Sequence, residues 1–302
     1  MSALRTTGPK ALADREAATG TTSGSRLNSA LAKRLLRSLG SLLISVVVVL
    51  VLWEGFILLY HIQPILAKNP LDVWRYLFSQ RANPTSGLRS AAGNRAVLFS
   101  NLEVTLRDAG LGYLAGIVLA MGVACLFVLQ RSLEQTFMPI SIVLRSMPLV
   151  AMAPLITLIF GRGLVAVTVV GGVVCFFPAL INIMYGLQAT PQSMLDVMSV
   201  YGASKLTALR KVLVPSALPS IFASLRINVP ASVIGALLAE WLVTGQGSGQ
   251  EMLTVENTFD YGELWSAVVL VTLVSIVAYS IMSAVEGGVL SRYAPDSARA
   301  RR

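Results

Sequence analysis

The sequence predicts an all-α membrane protein of six transmembrane helices, and three observations carry that prediction. Hydrophobic residues make up 55% of the 302, charged residues only 13%, and the mean hydropathy is +0.70, against a charged share of about 25% in soluble domains. Six apolar stretches each approach the roughly 20 residues that a helix needs to cross a hydrocarbon layer. Lys and Arg gather in the connections on one side of the resulting topology, as cytoplasmic loops do.

Residues 1–38 form a polar tail carrying Arg5, Lys10, Arg15, Arg26, Lys33, Arg34 and Arg37, expected to be disordered and cytoplasmic. The tail is too long for the n-region of a secretory signal and no A-x-A-like site follows, so the first span, 39–60, reads as an uncleaved anchor. The remaining spans fall at 105–129, 138–160, 164–187, 216–243 and 264–290, and all six make one transmembrane domain over 39–290. A second basic tail, 291–302, carries Arg292, Arg299, Arg301 and Arg302 and lies on the cytoplasmic side with the N-terminus. The connection between spans four and five is then cytoplasmic, with Lys205, Arg210 and Lys211, while the external loop 244–262 has no Lys or Arg. The external loop 61–104 fits less well, holding Lys68, Arg75, Arg81, Arg89 and Arg95. Its start sets Leu71, Trp74, Leu77 and Phe78 at helical spacing, the pattern of a helix lying along the membrane surface.

Several function classes drop out. The net charge of +9 follows from cytoplasmic loops and tails and implies no nucleic acid. Cys125 and Cys175 lie inside apolar runs and read as small buried hydrophobes, neither a disulfide framework nor a metal pair. His61 is the only histidine, and no H-E-x-x-H, no Cys/His cluster and no gathering of acid/base groups suggests catalysis. No G-x-x-x-x-G-K-[ST] phosphate loop occurs, so nucleotide chemistry belongs to a partner.

The stretch YGASKLTALRKVLVPSALPS, 201–220, interrupts the apolar runs with charge. Leu195, Met198, Gly202, Leu206, Leu209 and Leu213 recur at steps of three and four, while Ser204, Lys205, Thr207, Arg210 and Lys211 take other faces, which predicts an amphipathic helix. Such a helix either docks on a protein or lies in the lipid interface. Gly202 in the stripe would let a partner approach the backbone, and Pro215 predicts a helix end near Val214.

Residues 196–215, DVMSVYGASKLTALRKVLVP, resemble the signature loop of binding-protein-dependent ABC importer permeases: E-A-A, three residues, Gly, nine residues, Ile-x-Leu-Pro. Asp196, Val197 and Met198 stand at the E-A-A positions, Gly202 at the Gly, and Val212, Val214 and Pro215 at the Ile, Leu and Pro. The first three positions depart from the pattern, Asp196 keeping the charge. LRSMPLVAMAPLITLIFGRG (144–163), LPSIFASLRI (218–227) and AEWLVTGQGSGQ (239–250) are similar to the nitrate, sulfonate and taurine subgroup, with Arg145, Pro148, Pro154, Phe160 and Gly161 in place. Where that subgroup often has Pro-Ser-Pro after span one, this chain reads Lys68-Asn69-Pro70.

The resemblance covers about 39–290. It implies the type I ABC importer permease fold, with a cytoplasmic coupling helix over 196–213 whose ATPase-coupling residues are Asp196, Val197, Met198, Gly202, Leu206, Leu209, Val212, Val214 and Pro215. It further implies a homodimer in membrane lipid, a cytoplasmic ABC ATPase dimer and an extracytoplasmic solute-binding protein, at the bacterial inner membrane. The chain would hold no cofactor, ATP and Mg being bound by the ATPase. The implied solute is a sulfonate, nitrate, taurine or similar small anion; a thiamine precursor or other small heterocycle is the alternative, and a passive channel or secondary carrier is the alternative of another class.

Charges inside spans point toward a pathway, because an Arg near the bilayer centre costs about 2.5–3.5 kcal/mol on insertion scales and faces protein or water. Arg145, followed by Pro148 and Pro154, which would free carbonyls at a bend, is one candidate; it either lines the route, snorkels to headgroups or pairs with an acid. Glu240, beside Trp241, is a pathway candidate whose position also suits an interfacial anchor. Glu54 and Asp108 are placed near the outer surface, and Gly245, Gly247 and Gly249 in a flexible external turn. Gly112, Gly116, Ala120 and Ala124, and Ala231, Gly235 and Ala239, recur every four residues, the spacing of close helix contact within a bundle.

Overall fold

The computed structural model describes residues 44–79 and 91–293, and every regular element among them is a helix. The tail 1–38 and residues 294–302 lie outside the described residues. The chain divides at Pro70 into two compact units. In the first, α1 (Ile44–Leu59) is the apolar helix expected over 39–60, and a turn follows in which the Lys68 ammonium donates to the Pro64 carbonyl at 2.9 Å.

The second unit runs α2 (Pro70–Phe78), α3 (Ala91–Leu129), α4 (Arg131–Arg145), α5 (Leu149–Phe160), α6 (Leu164–Gln188) and α7 (Gln192–Val200). It then continues with α8 (Lys205–Thr244), α9 (Gly247–Asn257) and α10 (Tyr261–Tyr293). Four of these helices, α3, α6, α8 and α10, are long and apolar enough to cross a membrane, and α4 with α5 would make a fifth span if the bent pair counts as one.

Three expectations need correction. The stretch 138–160 is not one helix: α4 and α5 meet at 107° across Ser146–Pro148, because a proline disfavours helical geometry in the residue before it. The second span begins at Ala91 and not near 105. Its first turns bury Asn94, Leu98, Leu102 and Thr105, so half of the buried face is polar and hydropathy alone misses it. Pro215 ends no helix, since α8 is continuous from Lys205. A widened π-helical turn at Leu209–Leu213 stands where the proline ring would otherwise press on the carbonyl four residues back.

The frame is a crossing of α3, α6 and α8. A Cβ on Gly112 would lie 2.8 Å from the Gly171 Cα, and one on Gly116 would lie 2.6 Å from the Gly172 carbonyl oxygen and 2.8 Å from the Cys175 Cβ. A Cβ on Gly235 of α8 would lie 3.2 Å from the same Gly171 Cα. Toward the α7 end, Ala120, Ala124, Leu180, Ile183, Met184, Leu209 and Leu213 form the largest buried cluster. Ala120 and Ala124 are fully buried, so the four-residue small repeat serves packing inside the bundle.

Gly116→Ala should therefore force backbone apart and cost about 1–3 kcal/mol. Gly122→Ala, where an added methyl meets nothing within 4 Å, should change stability by no more than ~0.5 kcal/mol. Thermal unfolding of the two variants in one detergent separates them, and equal midpoints would contradict the crossing.

Candidate functional site

The end of the bundle built from the α3–α4 and α6–α8 connections is half polar and half apolar. Val128, Leu129, Arg131 and Glu134 there face Gln188, Thr190, Leu195, Lys205 and Leu213 across a groove of about 620 Å³. The Gln188 side-chain amide donates to the Glu134 carboxylate. Two loops that are distant in sequence therefore share one face, as the predicted topology requires of them.

The predicted single helix over 196–213 is two helices. α7 stops at Val200, and Gly202, at φ +67, turns the chain before Ser204 opens α8. That opening is capped: the Thr207 N–H donates to the Ser204 Oγ at 3.2 Å, satisfying a donor that a helix start leaves free. A Cβ on Gly202 would meet nothing within 4 Å, so the glycine serves left-handed backbone geometry, which other L-residues adopt at a cost of roughly 1–2 kcal/mol. It is not there for close packing within this chain.

The turn divides the predicted coupling set. Leu209 is buried, and Val214 packs partly against the same core cluster. Met198 and Val212 are half-buried, while Asp196, Val197, Gly202, Leu206 and Pro215 are exposed. Asp196 accepts from the Gln192 side chain at 3.2 Å within α7. Val200 and Tyr201, at the tip, are each 84% exposed. Val197 and Leu206, with the tip residues Val200 and Tyr201, make an exposed apolar edge fringed by Asp196, Lys205, Arg210 and Lys211. The buried ones root that edge in the core.

At the opposite end the pathway candidates part company. Pro148 and Pro154 are exposed on α5, which packs through Ala153 and Ile156 against Ala239 and Val243, the residues flanking Glu240. Arg145 is the exposed last residue of α4 at the bend.

Glu240 faces elsewhere. It is fully buried, and its Oε2 accepts the Gly249 N–H at 2.7 Å. Beside it the Ser248 N–H donates to the Thr105 Oγ1 at 2.9 Å. A carboxylate at a helix N-terminus satisfies free donors and complements the helix dipole, so Glu240 fastens α9 to the end of α8 and is no interfacial anchor. Gly247, at φ +87, has no room for a Cβ against the Glu240 carboxylate. Gly247 and Gly249 are thus buried and geometrically specified, while Gly245 is exposed at φ +68. Asp108 is likewise buried, 3.0 Å from Arg107.

A third polar feature was not singled out in the sequence. Arg226 of α8 lies 2.8 Å from Glu286 of α10, with its guanidinium 5.6 Å from the centre of the Tyr279 ring. The two charges are 60 residues apart, and only the antiparallel packing of α8 and α10 joins them. The one usable signal was an Arg and a Glu inside otherwise apolar spans, which usually pair.

Comparison with known proteins agrees with this architecture. The family described as "Binding-protein-dependent transport system inner membrane component" matches residues 112–292, from the glycine crossing to the end of α10. A "Probable ABC transporter permease protein" of Haemophilus influenzae is 31% identical over 183 residues, 61% of this chain and 75% of that protein. A "Formylaminopyrimidine transport permease protein ThiX" of Halalkalibacterium halodurans is 28% identical, covering 66% of this chain and 80% of the relative. Among solved structures, an inward-facing form of the MetNI methionine ABC transporter superposes with a TM-score of 0.59 at 21% identity, over 65% of this chain and 97% of the other, which supports the fold. With the matched region spanning well over half of its length, the chain belongs to the family of binding-protein-dependent transport system inner membrane components.

Proposed function

We propose that this chain is the transmembrane subunit of an ATP-driven importer and forms the translocation pathway for a small solute handed over by an extracytoplasmic binding protein. The observation that carries the proposal is the α7–α8 turn. Val197, Val200, Tyr201 and Leu206 stand exposed around Gly202, while Leu209 and Leu213, one and two turns on, are buried in the main core cluster. An apolar edge stiffly rooted in a bundle suits docking on a soluble motor, since a force applied at the tip reaches the core without a flexible joint.

In this reading the turn faces the cytoplasm, as do both termini, and seats in a groove of a separate ABC ATPase, which binds ATP and Mg. The six spans are α1, α3, the bent α4–α5 pair, α6, α8 and α10, and two copies in inner-membrane lipid enclose the route. Nucleotide drives the cycle only by binding inward-open and outward-open states with unequal affinity.

A sulfonate, nitrate, taurine or similar anion is the proposed solute, resting on the sequence resemblance and on the exposed Arg145 at the α4–α5 bend. The similarity to a formylaminopyrimidine permease favours a second reading, a small heterocycle of the thiamine-precursor kind.

Substitutions at Gly202 should rank by backbone geometry. ATPase co-purification is expected to fall in the order Gly, Asn, Ala, Val, because Asn tolerates the left-handed region best among the three; Asn faring worse than Ala would point to side-chain size instead. Proteoliposomes holding the chain, its ATPase and a binding protein should take up solute only with ATP, and uptake by the chain alone would establish a passive channel or carrier. A cysteine at position 145 should react with aqueous thiol reagents in at least one nucleotide state; protection in all states would remove Arg145 from the route.

A further inference from the structure

We propose that Arg226 is a positioning residue for transport: paired with Glu286, it ties α10 to α8, so that both helices move as one body when the docked end of α8 is displaced. The inference rests on the importer reading above.

Four observations meet here. α8 is continuous from Lys205 at the docking turn to Thr244 at the α9 junction, and Arg226 lies near its middle. Pro230 has no amide hydrogen to offer the Arg226 carbonyl, so the α8 hydrogen-bond ladder is interrupted at this residue, as it is at Pro215 and Pro219 nearer the docking turn. α10 is poorly held by apolar packing, with only 6% of its most apolar stretch buried, and lipid tails solvate apolar side chains as well as a helix face does. Glu286 is nevertheless 3% exposed at 2.8 Å from Arg226, and Tyr279, seven residues earlier on the same face of α10, takes the other side of the guanidinium.

The brace therefore sits beside one interruption of the α8 ladder and on the part of α10 beyond Val271, where Leu290 is the one buried apolar residue among those described. Separating the charges in an apolar medium would take from the Arg226 guanidinium the carboxylate it meets at 2.8 Å, which is far costlier than moving the two helices together. Motion entering at Lys205 thus reaches the first turn of α10, where Glu263 accepts the Tyr76 hydroxyl of α2 at 3.1 Å.

Two measurements on the complete transporter test this. With spin labels at Ile234→Cys of α8 and Ile281→Cys of α10, both exposed, in one protomer, the label separation should be the same in nucleotide-free and ATP-bound states. A change of about one helical turn, ~5 Å, would overturn the proposal. Arg226→Met with Glu286→Leu removes both members of the pair. That variant should assemble with its ATPase and hydrolyse ATP, yet move at least about tenfold less solute per ATP, and Arg226→Glu with Glu286→Arg should recover much of the loss. A wild-type solute-to-ATP ratio in the neutral variant would overturn the brace, as would a swap no better than the neutral pair. Wild-type transporter without ATP-dependent uptake would instead refute the importer reading, independently of Arg226.

Discussion

Everything in the second unit is organised by the near-contact of three backbones. Gly112 and Gly116 of α3, Gly171 and Gly172 of α6, and Gly235 of α8 bring their helices together so closely that a single methyl at Gly112 or Gly116 would overlap a neighbouring main chain. In lipid the hydrophobic effect does not press helices together, and close van der Waals contact between small residues takes its place. Once that crossing is set, larger side chains fill the space on either side. Leu180, Ile183, Met184 and Leu209 do so toward α7, and Leu102, Val233 and Val271 toward α9.

Polar groups inside this apolar frame are held by geometry that water cannot replace. Glu240 receives the amide of a helix start, Thr105 receives the next amide, and Arg226 meets Glu286. Each arrangement joins two elements: α8 with α9, α3 with α9, and α8 with α10. A buried ion pair is no guarantee of extra stability, since desolvation offsets much of the attraction. What it supplies is a fixed partner, because removing either member strips a close counterion from the other.

α8 unites these features. Its first turns carry Lys205–Leu213, the end proposed to dock, its middle carries Gly235 and Arg226, and its last turn carries Glu240. One helix thus touches the proposed motor surface, the crossing, the α10 brace and the α9 junction. The two π-helical turns at Leu209–Leu213 and Glu240–Thr244 lie at its ends, where widened turns re-aim side chains without breaking the rod.

The sequence by itself determined the helical membrane class, most span positions and the family, because apolar length and the spacing from Asp196 through Gly202 to Pro215 are properties of consecutive residues. It also indicated the close-packing role of Gly112, Gly116, Ala120 and Ala124, since a four-residue repeat is a local pattern. Only the tertiary structure decided that Gly202 is a turn between two helices, that Glu240 caps a helix start, and that Arg226 faces Glu286. It alone showed that the span over 138–160 is bent, that α3 begins some fourteen residues early with a partly polar buried face, and that Pro215 lies within a continuous helix. Those outcomes depend on which group lies across from a residue in space. A one-dimensional pattern of apolar and polar positions does not carry that information.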